Sequence, residues 1–126
     1  MSQAHPPEPI NWRQVINTQT LPELDGSVRE QGIQFHEWLA QCFETDAVPF
    51  ERDLDWLTDP SETGGRFDCF DGHYVYEFKT VIELPDTPRR KDVDQLQRYL
   101  NTLDAAHGVL VYVERGGFSV SQFFIE

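Results

Sequence analysis

The chain has 126 residues, of which 39% are hydrophobic and 13% aromatic, enough for one globular core but not for an appended recognition domain. Its 22 acidic residues outweigh ten Lys and Arg, for a formal net charge of −12. This charge opposes non-specific approach to nucleic acid, because such affinity comes largely from neutralised phosphates. However, only Lys79 and Lys91 are lysines, and a lysine-poor acidic surface is typical of a salt-rich cytoplasm, where charges are screened within ~3 Å at 1 M salt. The acidity would then reflect the solvent rather than the substrate.

The sequence lacks the features of membrane and secreted proteins. No apolar run approaches the about 18 residues of a membrane-spanning helix, and the N-terminus has neither the basic start nor the apolar segment of a secretory signal. We therefore expect a cytoplasmic protein without a membrane partner. Cys42 and Cys69 are not spaced as a C-x-x-C motif, so buried thiols are expected, with a disulfide or a redox role as the weaker alternative.

The beginning of the chain differs in character from the rest. Residues 1–9 are rich in proline and are expected to form a loose tail. Residues 10–26 contain apolar side chains such as Trp12, enough for a short helix or a docked segment. We therefore divide the chain into residues 1–26, a tail with a docked segment, and residues 27–126, a single domain.

A capping box at Ser27 and Glu30 predicts a helix over residues 27–44. Apolar residues recur along it at the helical period and predict one face packed on a core. This core stripe comprises Phe35, Leu39 and Phe43.

Gly32 and His36 lie one turn apart beside that stripe. Gly inside a helix costs about 0.5–1 kcal/mol relative to Ala, which suggests close approach by another backbone or by a ligand. The plain alternative for His36 is a partly buried histidine packed beside core residues. Glu37 should point elsewhere, because a helix turns about 100° per residue.

Two stretches lie between this helix and the next recognisable feature. Residues 47–57 predict a strand, in which Pro49 favours an edge position or a strand start. Residues 59–65 are rich in Gly, Ser, Asp and Pro and predict a loop.

Asp71-Gly72 is a strong signal for a two-residue hairpin turn, because Gly adopts the positive φ that a type I′ turn needs. With these two residues as the loop, Asp68 lies opposite Val75, and Glu77 is its diagonal neighbour. Diagonal partners have Cα atoms roughly 7–8 Å apart. Two carboxylates at that separation can grip one divalent ion, and oxygen ligands favour Mg²⁺ or Mn²⁺.

Side chains alternate between the two faces of a strand. Lys79 is therefore expected on the same face as both acids, next to the ion. The plain alternative is an exposed strand face that happens to carry a Glu and a Lys. The opposite face is apolar and fit for burial, and it carries Phe67, Cys69, Tyr74, Tyr76 and Phe78.

The second half of the chain predicts one more helix. Thr87 as N-cap and Pro88 at the first helical position begin it, and it runs over residues 88–106. His107-Gly108 is typical of a helix stop. The buried stripe of this helix comprises Val93, Leu96, Leu100 and Leu103.

Two strands are expected after this helix. The β-branched run over residues 108–114 is typical of a buried central strand. After a turn, residues 118–125 predict a closing strand with Phe118, Val120 and Phe124 turned inward.

The acids and the lysine of the hairpin resemble the site of a known family. Asp68 followed by Glu77-x-Lys79 resembles the catalytic pattern of the PD-(D/E)xK nuclease superfamily. Gly65, three residues before Asp68, fits the G-x-x-D form that precedes the first acid there. Arg66 is expected on the face of Asp68, where it would contact a substrate phosphate or, as the slightly favoured alternative, pair with a carboxylate.

Two helical motifs narrow the resemblance to the RecB-like and Cas4-like branch. Gly32-x-x-x-His36 resembles a G-x-x-x-H helix whose His is a metal ligand in that branch. Gln95-x-x-x-Tyr99 resembles a Q-x-x-x-Y motif that supports the active site and contacts the substrate strand. Cas4-like enzymes carry four cysteines for an iron–sulfur cluster, whereas this chain has two, so no cluster is expected.

The resemblance spans residues 27–114 and implies an α/β fold, a mixed central sheet flanked by helices with a restriction-endonuclease-like α-β-β-β-α-β core. It also implies a metal-dependent DNA nuclease, acting as an exonuclease or as a structure-selective endonuclease. Lys79 would orient the attacking water and offset charge that develops on the phosphate. The implied catalytic residues are Asp68, Glu77 and Lys79. The implied ligands of Mg²⁺ or Mn²⁺ are His36, Asp68, Glu77 and the backbone carbonyl of Phe78.

Two other classes of function fit part of the sequence. A catalytically silent subunit of the same fold would bind or assemble with partners, which suits the acidic surface and the lack of a recognition domain. An acidic DNA mimic would suit the charge but leaves the hairpin residues unexplained. The expected partners are DNA and, for a chain of this size, a protein partner or a second copy in a homodimer.

Overall fold

A computed structural model describes residues 8–18, 20–44, 55–56, 67–104 and 107–125. Over these residues the chain forms helices and strands in the order α1 (Trp12–Asn17), α2 (Val28–Glu44), β1 (Asp55–Trp56), β2 (Phe67–Phe70), β3 (Tyr74–Val81), α3 (Arg90–Leu103), β4 (His107–Glu114) and β5 (Val120–Ile125). None of the helices in these ranges is long and apolar enough to cross a lipid bilayer.

The strands form one mixed sheet in the order β1-β2-β3-β4-β5. Neighbouring strands are antiparallel except β3 and β4, which run parallel and are connected through α3, as a parallel pair requires. β4 is buried along nearly its whole length, which confirms the predicted central strand, because a strand covered on both faces reads as a continuous apolar run. The predicted α/β class, a mixed central sheet with helices, is confirmed.

Helices cover both faces of the sheet, and β3 alternates between two buried clusters as predicted. The cluster with α1 and α2, the α2 side, contains Ile10, Trp12, Ile16, Phe35, Leu39, Cys69, Tyr74, Tyr76, Phe78, Val109, Val111, Val113, Phe118 and Val120. The cluster with α3, the α3 side, contains Val75, Val81, Leu96, Leu100, Leu110, Tyr112 and Ile125.

The segment around α1 is docked on the α2 side. The backbone N–H of Ile10 donates a hydrogen bond of 2.9 Å to the hydroxyl of Tyr76. The side chain of Gln122 on β5 donates to the carbonyl of Ile10 at 2.8 Å and accepts from the N–H of Trp12 at 3.0 Å. The ring of Trp12 lies edge-on to that of Phe78, with centroids 4.7 Å apart. These contacts make the segment part of the core.

α2 begins where the sequence predicts. The hydroxyl of Ser27 accepts a hydrogen bond of 3.2 Å from the N–H of Glu30 and donates one of 3.1 Å to the carboxylate of Glu30. Phe35 and Leu39 are fully buried, as the helical spacing requires. The side chain of Phe43, the third member of the predicted stripe, lies outside the described part of the chain.

The β2–β3 hairpin forms, but the predicted turn is displaced by one residue. Gly72 and His73 are the loop residues, and Asp68 lies directly opposite Glu77 rather than Val75. Because the pairing moves by two residues, every side chain keeps its predicted face. The two acids are therefore closer in register than the predicted diagonal placement.

Asp71 explains this displacement. Its carboxylate accepts hydrogen bonds from the backbone N–H groups of His73 at 2.8 Å and Tyr74 at 2.7 Å, and from the hydroxyl of Tyr76 at 2.7 Å. These bonds hold Asp71 at the closing pair of the hairpin instead of in its loop. Gly72 has a φ of 93°, which suits the first loop position of a type II′ turn.

α3 is shorter than the predicted helix at both ends. It begins at Arg90, because Arg89 is extended (ψ 134°) and is the N-cap, so the predicted cap at Thr87 is wrong. It ends at Leu103, because Asp104 takes a left-handed conformation (φ 54°) that ends the helix. Leu103 is 40% exposed, so its predicted place in the buried stripe is also wrong.

His107, predicted as part of a helix stop, begins β4 instead, and Gly108 lies in β4, as the predicted strand over residues 108–114 had it. A Cβ atom on Gly108 would lie 2.8 Å from Cδ2 of Leu96 and 3.2 Å from Cδ1 of Leu100. Gly108 therefore leaves room for the side chains of Leu96 and Leu100, which would have to shift if a Cβ atom stood there.

β5 forms the predicted closing strand but begins at Val120 rather than at Phe118. Val120 and the preceding Phe118 are buried, as predicted. The predicted inward position of Phe124 is wrong, because this side chain is 49% exposed. Its ring packs against the rings of Tyr74 and His107, with centroids 6.0 Å and 5.5 Å away. These aromatic contacts lie at the end of the sheet where β3 and β4 begin.

Some predictions fall partly or wholly outside the described residues. Of the predicted strand over residues 47–57, only Asp55–Trp56 is described, as β1. The predicted loop over residues 59–65 lies outside, as does the side chain of Cys42. Cys69 is buried, as predicted.

Candidate active site

β3 carries Glu77 and Lys79 on the α3 side of the sheet, because both alternate with Tyr76 and Phe78 on the α2 side. Glu77 is only 3% exposed and lies opposite Asp68 of β2 in register. Carboxylates at such buried positions are usually paired with a cation or bound to a metal. β3 thus places the carboxylate of Glu77 and the ammonium of Lys79 two positions apart on the α3 side of the sheet.

α3 supplies the partners of Lys79. The ammonium Nζ donates a hydrogen bond of 3.1 Å to Oε1 of Gln95 and lies 3.4 Å from Oδ1 of Asp92. The side chains of Lys79 and Asp92 are 15% and 3% exposed. The structure therefore brings together Lys79 and Gln95, two predicted site residues that are 16 positions apart.

Asp92 is itself held by a second layer of hydrogen bonds. The hydroxyl of Tyr112 on β4 donates to Oδ2 of Asp92 at 2.6 Å, and the backbone N–H of Arg89 donates to the same hydroxyl at 3.1 Å. The guanidinium of Arg89 lies 5.8 Å from the ring centroid of Tyr112, within cation–π range. Burial, and then the hydrogen bond to Asp92, raises the pKa of Tyr112 well above its usual value near 10. Tyr112 therefore stays a neutral donor that fixes the carboxylate facing Lys79.

A cavity of about 300 Å³ opens beside these residues. Three of its lining side chains are cationic, although the whole chain has only ten Lys and Arg and a net charge of −12. The lining residues are Lys79, Lys91, Asp92, Gln95 and Arg98. The arrangement presents positive charge next to Glu77 on an otherwise acidic molecule.

His36 is buried, with 3% exposure, on α2. The preceding residue, Phe35, belongs to the α2 side, whereas Lys79 and Gln95 meet on the α3 side. His36 is thus on the helix that covers the opposite face from the cluster around Lys79, and its role as a metal ligand stays a prediction. Glu37 is exposed, as predicted.

Tyr99 and Phe78 occupy different layers. Tyr99 is half-buried and packs against the cluster on the α3 side, one helical turn beyond Gln95. The side chain of Phe78 is fully buried on the α2 side, so only its backbone adjoins Glu77 and Lys79. Arg66 and Gly65 lie outside the described residues.

The strand pairing places Asp68 and Glu77 close enough for both carboxylates to bind one divalent ion. Facing residues of an antiparallel pair have Cβ atoms about 4.5–5.5 Å apart, so Asp68 and Glu77 start close enough to share one hard cation through carboxylate oxygens. Among the described side chains, no three His, Cys, Asp or Glu come together as a metal-ligand group. The side chain of Asp68 is not one of those described, so the acid pair falls outside that finding.

Asp92 and Tyr112 were not among the predicted site residues. Asp92 lies three positions before Gln95, and this spacing on one helix face is the signal that points to it. Tyr112 is the polar member of the apolar run in β4, and a buried hydroxyl needs a partner.

Comparisons of the chain with protein-family models, with curated proteins and with solved structures found no match.

Proposed function

We propose that this protein is a metal-dependent nuclease that hydrolyses phosphodiester bonds in DNA, with a site of the PD-(D/E)xK type. One observation carries the proposal: Lys79 lies two positions from buried Glu77 on the same face of β3, and Gln95 of α3 is bonded to the lysine at 3.1 Å. In the E-x-K and Q-x-x-x-Y motifs these residues would act on the same phosphate. Their meeting on one face supports that reading.

The order of the elements supports a restriction-endonuclease-like core. α2 is followed by β1, β2 and β3, then by α3 and β4, which is the order α-β-β-β-α-β. β3, which carries Glu77 and Lys79, is the middle strand of the sheet. α3, which carries Gln95, connects β3 to β4, the parallel neighbour of β3. β5 extends this core by one antiparallel strand.

The proposed metal ligands are Asp68, Glu77 and the backbone carbonyl of Phe78. His36 lies on α2, whose core cluster is on the other face of the sheet, and its role as a further ligand is a separate proposal that Mn²⁺ calorimetry tests. When bound, Mg²⁺ or Mn²⁺ supplies a Lewis acid that polarises the phosphate and lowers the pKa of a bound water. Carboxylate and carbonyl oxygens suit Mg²⁺, and an imidazole ligand shifts the preference towards Mn²⁺.

The protein's own contribution is the position of one ammonium group. Lys79 donates a hydrogen bond to the attacking water or to a phosphate oxygen on which charge develops, and this stabilises the transition state more than the ground state. Gln95 and Asp92 hold Nζ from one side, so little reorganisation is needed when the substrate arrives. Gln95 is then a positioning residue for Lys79.

The test is cleavage of end-labelled single- and double-stranded DNA with Mg²⁺ or Mn²⁺, at low and at molar salt. Glu77→Gln and Lys79→Ala are each expected to lower the rate by about 10²–10³-fold. Glu83→Gln, the same chemical change at an exposed position, is the matched control and is expected to cut like the wild type. RNA of the same sequence, in parallel, tests the choice of sugar.

Three outcomes separate the alternatives. Cutting that persists unchanged in both variants comes from a contaminating nuclease and removes the enzyme proposal. No cutting by the wild type, together with metal binding in calorimetry, favours the silent subunit of the same fold. His36→Ala is measured by Mn²⁺ calorimetry, because loss of a ligand lowers affinity, whereas a histidine that only packs leaves it unchanged.

A further inference from the structure

The cavity beside Lys79 carries more positive charge than the proposed chemistry uses. Lys79 faces the carboxylate of Asp92 at 3.4 Å, so its charge has a nearby counter-charge. Lys91 and Arg98 also line the cavity. Both are exposed, and within the described part of the chain neither forms an ion pair. The surplus charge of the cavity therefore lies on these two side chains.

Their spacing places them on one line. Lys91, Gln95 and Arg98 are separated by four and then three positions, which puts them on the same face of α3. With a rise of 1.5 Å per residue, the backbone positions of Lys91 and Arg98 are about 10.5 Å apart along the helix axis. Gln95, bonded to Lys79, lies between them. The two cations thus flank the point at which the proposed reaction takes place.

We propose that Lys91 and Arg98 bind backbone phosphates of a single nucleic-acid strand on either side of the phosphate that reacts at Lys79. This inference rests on the proposed function, which supplies the reacting phosphate. A linear row of two cations around a central amide suits a strand laid along α3, because each contact neutralises one phosphate and releases its counterions. It also gives a molecule of net charge −12 one local surface on which a polyanion is attracted.

The spacing of Lys91 and Arg98 along α3 favours a nucleic-acid strand as the ligand over a free phosphate ion. The backbone positions of the two cations are about 10.5 Å apart along α3. Over that span a strand offers one phosphate to each side chain, whereas a free phosphate ion offers a single group. The strand makes no base-specific contact in this row, because Lys and Arg here meet only phosphate groups. The row is therefore expected to raise affinity for any sequence.

The test measures binding without cutting. A fluorescent 12-nucleotide single-stranded DNA is titrated with the full chain in EDTA over a series of salt concentrations, with anisotropy as the readout. The double variant Lys91→Gln/Arg98→Gln is expected to lose affinity by about 10-fold or more at low salt, and the slope of log affinity against log salt is expected to fall by about 1.4, from roughly 0.7 per phosphate contact. Both residues are exposed, and circular dichroism verifies that the variant folds.

The matched control removes the same two charges elsewhere. Arg13→Gln/Arg29→Gln changes exposed arginines of α1 and α2, whose helices cover the other face of the sheet. Affinity and slope in this control are expected to stay within about twofold and 0.3 of the wild type, because net charge alone acts weakly through salt. A second probe, the same 12-mer with uncharged methylphosphonate linkages, is expected to bind equally to all three proteins.

The inference is overturned if the Lys91/Arg98 variant binds like the wild type, if the control loses as much affinity, or if the wild type does not bind the 12-mer at low salt. Inorganic phosphate that competes fully at micromolar concentration would also overturn it, in favour of a site for the free ion. These results are independent of hydrolysis. Strand binding through the two cations without any cutting removes the nuclease proposal and the reacting phosphate between them, but leaves in place the binding of a strand by Lys91 and Arg98.

Discussion

The pair of Lys79 and Asp92 gives the sharpest prediction about the candidate site. We consider Asp92→Asn, which removes the negative charge while keeping nearly the same shape and an oxygen that accepts the hydroxyl of Tyr112. Asp92 is 2% exposed, so the substitution leaves the ammonium of Lys79 in a largely dry place with Gln95 as its remaining described partner. The variant is expected to be less stable, although no apolar contact is lost.

The magnitude follows from the distance and the burial. Two unit charges about 4 Å apart attract by roughly 4 kcal/mol at an effective dielectric constant of about 20, and Nζ and Oδ1 are 3.4 Å apart. Removing one member of a buried pair costs about 3–5 kcal/mol. Because Lys79 retains 15% exposure and its bond to Gln95, we expect a smaller cost than that range, about 2–3 kcal/mol. At about 3–5 °C per kcal/mol for a chain of this length, Tm falls by about 6–15 °C.

The assay is thermal unfolding of four proteins in a double-mutant cycle. They are the wild type, Asp92→Asn, Lys79→Met and the double variant. If the cost of Asp92→Asn is the stranded ammonium, that cost falls below about 1 kcal/mol when Lys79 is already Met. Asp94→Asn, an exposed residue of the same helix, is the matched control and is expected to melt within about 1 °C of the wild type.

Two results would refute this reasoning. One is a Tm of Asp92→Asn within about 2 °C of the wild type, which would mean that the pair contributes little in water. The other is an unchanged cost in the Lys79→Met background, which would assign the loss to Tyr112 or to packing rather than to the charge pair.

Three further predictions concern the fold around the site. Gly108→Ala is expected to lower stability by about 1–3 kcal/mol, because its Cβ would lie 2.8 Å from Cδ2 of Leu96; an unchanged urea midpoint would contradict the close approach of α3. The raised folded-state pKa of Tyr112 means that its contribution to stability is complete below about pH 10 and is lost as pH rises further. Melts between about pH 10 and 12 should therefore fall more steeply for the wild type than for Tyr112→Phe, and parallel curves would argue against the shift. Ser27→Ala is expected to cost about 1 kcal/mol in urea unfolding, since the hydroxyl caps the N–H of Glu30 at 3.2 Å; a smaller effect than that of Ser119→Ala, at an exposed position, would argue against the cap.

Local patterns predicted most of the elements because their signals are contained within a few residues. The cap at Ser27, the stripe through Phe35 and Leu39, and the apolar run of β4 each depend on neighbours in sequence. The face of each residue of β3 was also predictable, because alternation survives a shift of two in pairing. The exact turn was not, because Asp71 uses its side chain to bind backbone N–H groups and so leaves the loop.

The candidate site was predicted only in part, because its residues are far apart in sequence and meet through tertiary contacts. The meeting of Lys79 and Gln95 was expected from motif order. The participation of Asp92 and Tyr112 depends on how α3 packs on β4, where Gly108 leaves room for the side chain of Leu96. Such tertiary contacts leave no periodic signal. The role of His36 was predicted from resemblance, and its place on α2 leaves that role for metal-binding measurements to decide.

The hydrogen bonds of Gln122 to Ile10 and Trp12 join parts of the chain that are more than a hundred positions apart. These hydrogen bonds close a long loop of the chain without a covalent cross-link. Removing the N-terminal segment would break this loop and expose the aromatic side chains of Tyr76 and Phe78 to solvent, even though it removes no residue of the candidate site. Deletions and fusions at that end should therefore alter how cooperatively the protein unfolds, and activity should follow only as a consequence.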